Sequence, residues 1–407
     1  MRIMILGAGV YQAPYIKRAQ AMGMETVVVS IPGDYPGIPL ADHYIELNTT
    51  DTEGVLKAAE EWGVSAICTG GTDVCVPTLG HVAKALSLPG VSPEAAVTIS
   101  TKSRFRHFLR DNHLPCPRFC CSQTFDSIRD ELAAWDPPIV FKPDDSSGSR
   151  GVGILDAWDP VSAKEHFEYA KCYSRSGIVC VESFLEGIEV GGDGFMWNGR
   201  LVFYAVTHKH MEGLLVRGHS LPTNVTPDQE RQVGGVIEQT CVALGYLNGP
   251  VNYDAMVNTV CQTATNCGEE VFVLEMGARS GGNGIVDLIE LGTGVDLCTA
   301  VIEYATGREV SLDSGKTRTG YGTVVFGSPV AGTLRGLADI DALRLSVPEV
   351  CRLQLAASIG SRVKPLIHNA NLLGYVVFAC ALPQEYDRIS KAVLSALDLK
   401  VESSGST

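Results

Sequence analysis

The fold is decided by the stretch Ile139-Val140-Phe141-Lys142-Pro143-Asp144-Asp145-Ser146-Ser147-Gly148-Ser149-Arg150-Gly151-Val152-Gly153-Ile154. An apolar run delivers a lysine, a loop of small residues follows, and a second apolar run closes the segment. That order is strand, phosphate-sized loop, strand. Glycine and serine leave backbone N–H groups able to approach a polyanion, and Lys142 sets a compact positive charge at the loop's root. The segment is predicted to be a nucleotide-binding hairpin.

Upstream of it, residues 2–6 form a short apolar run that turns at Gly7-Ala8-Gly9. A helix is expected over Tyr15–Met22, strands over Glu25–Ile31 and Tyr44–Leu47, a helix over Thr52–Trp62 and a strand over Ser65–Thr69. Strand and helix alternate, which predicts a parallel α/β sheet. Gly7-Ala8-Gly9-Val10-Tyr11-Gln12 half matches the dinucleotide fingerprint, but Gln12 stands where the third glycine should permit close helix–strand packing. A tight turn that binds no NAD is the expectation. Gly70-Gly71-Thr72-Asp73 follows the last of these strands and is expected to line a ligand pocket, because ligands of open α/β sheets collect at the strands' carboxyl ends.

A helix is expected over Thr101–Asn112, with Phe105, Phe108 and Leu109 at helical spacing and Lys102 in its first turn. A cation there opposes the helix dipole. Downstream of the hairpin, Val161–Tyr173 is helical in pattern, Ile178–Glu189 reads as a strand breaking into a turn, and Gly194–Val206 and Thr207–Met211 read as further antiparallel strands. The parallel logic gives way to a mixed α+β body, which places a domain change near residues 95–115. Thr226–Leu244 is expected to be a helix. Strands at Gly249–Asn258 and Glu270–Met276, joined by a polar link over Thr259–Gly268, form a hairpin that sets Asp254 and Glu275 close together. Helices are expected at Val286–Leu291 and Asp296–Thr306, short strands beyond Leu312, and a last helix over Gln384–Leu397.

The 407 residues are too many for one ordinary core, and 45% hydrophobic with 19% charged residues is the profile of a packed globular protein. The formal net charge of −14 and the lack of any Lys/Arg run exclude a nucleic-acid or anionic-membrane surface. A polyphosphate must then find a local basic pocket, which gives Lys102, Lys142 and Arg279 their weight. Thirteen cysteines, an odd number with no C-x-x-C pair, argue for reduced thiols and against a disulfide framework or zinc ribbon. Met1-Arg2 leads directly into a short apolar run, so no secretory leader is expected, and no run approaches the roughly 18 residues of a membrane span. A cytoplasmic protein is expected.

Some motifs are set aside. Ser314-Gly315-Lys316-Thr317 is no Walker loop, because Val310 stands where its first glycine is needed. His208 and His210 face one way along a strand and His219 follows, but no cysteine or acid at ligand spacing completes a zinc site. Lys209, Arg217 and His219 are instead pocket-lining candidates for substrate recognition, with Ser280 and Gly281.

Lys102, Lys142 with its Gly/Ser loop, Glu182-Ser183-Phe184-Leu185, Glu189, Asp254, Glu275 and Arg279 form an ordered set. In it the sequence resembles the ATP-grasp superfamily, and within it the carboxylate–amine ligases of amino-acid-ligase type. The resemblance implies an α/β and α+β chain: a Rossmann-like pre-ATP-grasp domain over 1–98, an ATP-grasp domain over 99–310 with a small lid subdomain over 115–187, and a C-terminal α+β extension over 311–407. It implies that Lys102 and Lys142 hold ATP phosphates and that the Ser147, Gly148, Ser149, Gly151 loop closes over them. Glu182, Phe184 and Leu185 would form the adenine hinge, and Glu189 would hold the ribose hydroxyls. Asp254 and Glu275 would hold Mg²⁺, or Mn²⁺ in its place, and Arg279 would stand by the transferred phosphoryl group. The family commonly carries an asparagine two residues after the second metal carboxylate, and this chain has Gly277, which puts a second Mg²⁺ in doubt; Ala278 also replaces a frequent proline. The implied activity joins a small carboxylate, activated as an acyl phosphate, to an amine, with ADP and phosphate released, in a homodimer. The alternatives are a purine-pathway or carboxylation-type reaction on a metabolite such as formate or bicarbonate, and an ATP-binding module that does not turn over.

Overall fold

Val27, Val28 and Val29 are fully buried, and such a β-branched run suits a parallel strand covered on both faces. In the computed structural model, which describes residues 1–258, 270–312 and 319–403, this run lies in β2 (Glu25–Ser30). It is flanked by β1 (Arg2–Leu6) and β3 (His43–Glu46). With β4 (Ala66–Cys68) they make an all-parallel four-stranded sheet of order β3-β2-β1-β4. Helices Ala13–Ala21 and Thr52–Glu61 pack on it, the second capped by Asp51, whose carboxylate accepts from the Gly54 N–H.

Two helices, Val76–Ala85 and Pro93–Ser100, lie where no element is expected from sequence. The first buries Val76, Thr78, Leu79, Gly80, Val82 and Ala83, and its exposed side carries only His81 and Lys84 as polar residues, so its 3.6-residue contrast is weak in sequence.

The opening stretch folds as expected, into the hairpin of β6 (Ile139–Pro143) and β7 (Gly153–Leu155). It belongs to a four-stranded sheet of order β5-β8-β6-β7, completed by β5 (Phe119–Ser122) and β8 (Val179–Ser183). The helix Pro160–Cys172 covers this sheet and buries Ala163, Phe167 and Ala170.

The larger sheet begins with β9 (Ile188–Trp197), β10 (Arg200–Glu212), β11 (Leu215–Leu221), β12 (Gly249–Asn258) and β13 (Glu270–Gly277). Two sequence expectations are corrected here. Glu189 lies inside β9, not in a turn. The strand break expected at 206/207 falls instead at Asn198-Gly199, whose φ values of 49° and 77° make the tight hairpin that Asn-Gly favours. The expected β12–β13 pairing is present, with Asp254 directly opposite Glu275. Its link over 259–268 lies outside the described residues, as does Ser314–Thr317.

The C-terminal part supplies β14 (Tyr321–Phe326), β15 (Gly332–Gly336), β16 (Val350–Leu355), β17 (Arg362–Val363), β18 (Gly374–Ala379) and β19 (Lys400–Ser403). β14, β18 and β16 extend the larger sheet to eight strands, in the order β13-β12-β9-β10-β11-β14-β18-β16. The sheet thus runs without a break past residue 310, while β15, β17 and β19 form a separate small sheet. Among the described residues no helix is long and apolar enough to cross a membrane.

Candidate active site

Two adjoining cavities lie between the four-stranded sheet of β5–β8 and the floor made by β9, β10, β12 and β13. The smaller, about 180 Å³, is an apolar slot with a charged end. Val140 and Ile154 come from above, Met256 and Leu274 from below, and Leu185 from the connecting segment. Ser183 donates its N–H to the Arg118 carbonyl and Phe184 its N–H to the Pro138 carbonyl, which pins that segment to the residues flanking β5 and β6. The larger cavity, about 610 Å³, continues from the charged end to the carboxyl ends of the parallel strands, where it meets the Gly7–Gly9 turn and Asp73.

Four cations from four elements converge here, each held by a carboxylate. Lys102, in the first turn of the helix Lys102–Asp111, lies 2.8 Å from Glu275 Oε1 and donates to the Ser146 carbonyl at 2.7 Å. Burial works against its charge, and Glu275 restores it, so its pKa rises. Asp144, buried at the hairpin's root, accepts from the Ser103 N–H at 2.7 Å and so caps the helix that carries Lys102. A carboxylate at that end offsets the unfavourable placement of the lysine.

Lys142 donates to Glu182 Oε2 at 2.7 Å. Glu182 is only 2% exposed and is gripped from the other side by Arg106, at 2.8 Å to Oε1 and 3.3 Å to Oε2. Burial pushes the Glu182 carboxyl up, but Arg106 and Lys142 outweigh it and hold it at about 2. The Glu182 side chain is thus a buried anchor for Lys142.

Lys209, on β10, bridges Glu189 at 2.5 Å and Asp254 at 2.8 Å. Those two acids raise its pKa against the effect of burial. Arg279 makes a two-pronged pair with Asp73, Nε to Oδ1 at 2.8 Å and Nη2 to Oδ2 at 2.6 Å, and its Nη1 donates to Asn252 Oδ1 at 2.6 Å.

The loop between β6 and β7 owes its shape to residues in the left-handed region. Gly148, Ser149 and Gly151 have φ of 67°, 59° and 75°, and a Cβ at Gly148 would meet nothing within 4 Å. Glycine is needed there for its backbone, and the loop presents main chain to the cavity.

Other expected site residues fall differently. His219 is buried, lines the larger cavity and shares a hydrogen bond with Thr207 at 2.9 Å. Arg217 pairs with Glu212 on β10 and lines neither cavity. Ser280 and Gly281 sit behind the wall, where the Gly281 N–H donates to both oxygens of the fully buried Asp193. His210 stacks on Tyr386 and bonds Ser220 at 2.9 Å, and burial lowers it to about 3. Among the described residues no three His, Cys, Asp or Glu side chains cluster to hold a metal.

Gly71, Thr72 and Asp73 line the larger cavity, as expected of the turn after β4, whereas Arg106, Asn252, Asp193 and Asp144 are structural partners that the sequence reading gave no site role. Arg106 carried a usable signal, an arginine on the apolar stripe between Phe105 and Leu109. Gln12 explains the broken fingerprint. Its side chain accepts from the Gly9 N–H at 2.8 Å and donates to the Gly70 carbonyl, so it occupies the donor a dinucleotide phosphate would use.

The whole chain superposes on an L-amino acid ligase from Bacillus licheniformis with a TM-score of 0.81, covering 98% of each chain at 18% identity. The chain has the ATP-grasp fold. A phosphoribosylglycinamide synthetase from Anaerococcus prevotii shares that ATP-grasp fold, with a TM-score of 0.74 over 98% of this chain and 99% of that one at 18% identity. Residues 324–402 match the family model for the L-amino acid ligase C-terminal domain 2. In sequence the chain is 24% identical over 352 residues to carnosine synthase 1 of Mus musculus. That alignment covers 79% of this chain and 41% of that protein, so the chain spans less than half of this relative's length.

Proposed function

We propose that the protein is an ATP- and Mg²⁺-dependent ligase that joins a small carboxylic acid to an amine. The observation that carries this reading is the convergence of Lys102, Lys142, Lys209 and Arg279 with Asp254 and Glu275 on two connected cavities. The apolar slot suits a flat base, and the cations beyond it suit a polyphosphate.

Asp254 and Glu275 fit a divalent ion: they are hard oxygen donors on facing strand positions, and each already holds a cation, Lys209 and Lys102 respectively. Bound there, Mg²⁺ would neutralise phosphate charge and take its remaining ligands from phosphate and water.

In the proposed reaction a carboxylate oxygen attacks the γ-phosphorus, the bond to the β-phosphate oxygen breaks, and an acyl phosphate and ADP form. The amine nitrogen then attacks the acyl carbon and phosphate leaves, carrying the amine's proton. Lys102 and Lys142 align the phosphates, Arg279 faces the transferred group, and the Ser147–Gly151 loop excludes water from the labile intermediate. Ser183 and Phe184 spend their N–H groups on the lid, so a base in the slot is read at Leu185.

A phosphoribosylated substrate is less well provided for. From Gly7 to Thr49 the lining residues of the larger cavity include no lysine, arginine or histidine, and Gln12 already covers the Gly9 N–H. The two-lobed organisation, with residues 115–187 closing over the rest of the 99–310 domain, and a homodimer are part of the proposal. The first is tested by nucleotide-dependent protection of the loop from proteolysis, the second by sedimentation. Screening paired amino acids and small carboxylates for amine-dependent ADP release tests the activity. Lys142→Ala and Glu275→Ala should abolish it while the fold persists, and undiminished turnover in both variants refutes the assignment.

A further inference from the structure

We infer that Asp73 is a positioning residue for Arg279, and that position 277 is glycine to make room for it. The inference rests on the ligase reading, in which Arg279 faces the transferred phosphoryl group.

Asp73 reaches the site from the loop after β4. That loop is docked on the Arg279 segment by its backbone: the Gly71 N–H donates to the Ser280 carbonyl at 2.8 Å, and Gly70 bridges Ser280. The two carboxylate oxygens of Asp73 take Nε and Nη2 of Arg279, while Nη1 donates to Asn252 Oδ1 at 2.6 Å and the Ser280 carbonyl at 3.2 Å. A guanidinium has five N–H groups in a rigid fork. With these partners made, one N–H on Nη2 remains for a ligand, and its direction is set by Asp73.

Gly277 lies between the partners. Its φ is not in the left-handed region, so its backbone does not demand glycine, but a Cβ there would meet Asp73 Oδ1 at 2.6 Å and Arg279 Cζ and Nε at 3.2 Å. Any side chain at 277 must therefore push the carboxylate off the guanidinium. Without Asp73, Arg279 has two other acids within electrostatic reach, Asp193 and Glu275. Asp73 thus holds the fork against a pull toward the floor of the cavity.

The test is calorimetric titration of the full chain with magnesium ADP and with the magnesium complex of a non-hydrolysable β,γ-imido triphosphate analogue. Asp73→Ala should bind ADP within about twofold of the parent and lose about tenfold for the triphosphate analogue, the loss expected for one charge-assisted hydrogen bond. Asp73→Asn, which keeps the shape and one accepting oxygen, should recover part of that loss. Gly277→Ala should reproduce the selective loss in the parent, and add nothing in the Asp73→Ala background. An unchanged ratio of triphosphate to diphosphate affinity in Asp73→Ala, or full additivity of the two substitutions, overturns the inference. A parent chain that binds neither nucleotide overturns the ligase reading itself, and the inference with it.

Discussion

Replacing Arg106 with alanine strips four hydrogen bonds from a place that water does not reach. The guanidinium, 1% exposed, donates to both Glu182 oxygens and to the carbonyls of Val273 and Leu274, at 3.0 and 2.7 Å respectively. The deletion leaves Glu182 buried with Lys142 as its remaining cation and two carbonyls of β13 without this donor. Breaking a buried pair by removing one partner costs about 3–5 kcal/mol. The ionisation of Glu182 gives a similar figure: a carboxyl held at about 2 instead of 4.5 represents about 3 kcal/mol of stabilisation at neutral pH. Urea denaturation of the parent and of Arg106→Ala at pH 7 should differ by that amount, with ATP affinity also reduced as Glu182 draws Lys142 inward. The pair Arg106→Met with Glu182→Leu should cost less than Arg106→Ala alone, because a packed apolar replacement removes the fully buried carboxylate and leaves only Lys142, whose side chain is 17% exposed at the cavity, without its partner. A loss below about 1 kcal/mol, at the level of an exposed ion pair, or a double variant less stable than the single one, would refute the reasoning.

The acid limb of stability follows from the same carboxyl. A depressed folded pKa gives stability that is complete above about 4.5 and is lost as pH falls toward 2, so Glu182→Gln should be less stable than the parent at pH 7 and draw level near pH 2 in denaturant melts. Asp193 behaves oppositely. Burial raises its pKa to about 7 despite the Gly281 N–H and Asn252 donors, so the native state holds a proton that the unfolded chain releases above about 4, and this group lowers stability as pH rises from about 4 to 7. Asp193→Asn should flatten that limb in melts recorded across the range, and an unchanged slope would contradict the assignment. Lys209→Met removes the cation between Glu189 and Asp254, and magnesium ADP affinity should fall by about tenfold or more at low free Mg²⁺, with partial recovery at high Mg²⁺. Nucleotide titrations at two metal concentrations check this.

The sheet framework was legible where one physical signal dominated. Val27–Val29 marks a covered strand, Asn198-Gly199 holds a hairpin signal that the strand reading passed over, and the two apolar runs around Asp254 and Glu275 have the length and polar separation of a strand pair. The helices Val76–Ala85 and Pro93–Ser100 were passed over although a proline stands in the first turn of each, because they are only 10 and 8 residues long and carry few charges to mark their exposed sides. Lysines and acids of the candidate site could be picked out by type and order, since cations beside small-residue loops are scarce in so acidic a chain. Their pairing could not be read. Asp73 and Arg279 are 206 positions apart, and Arg106 and Glu182 are 76 apart, so the partners meet only through the packing of separate elements. Arg217 shows the converse error. Arg217 lies two residues from His219, where strict alternation would give them one face, but the ladder shifts register between His210 and Met211 and leaves Arg217 outside the paired positions, so it turns to Glu212 and away from the cavities.

The central claim is that a substrate carboxylate is activated by phosphorylation. It is tested most directly by supplying amino acids labelled with ¹⁸O in the carboxylate, together with ATP, Mg²⁺ and an amine partner, and weighing the phosphate released. One labelled oxygen per phosphate is expected, transferred when the acyl phosphate breaks at its acyl carbon. ATP-dependent release of wholly unlabelled phosphate alongside amide product would contradict the claim.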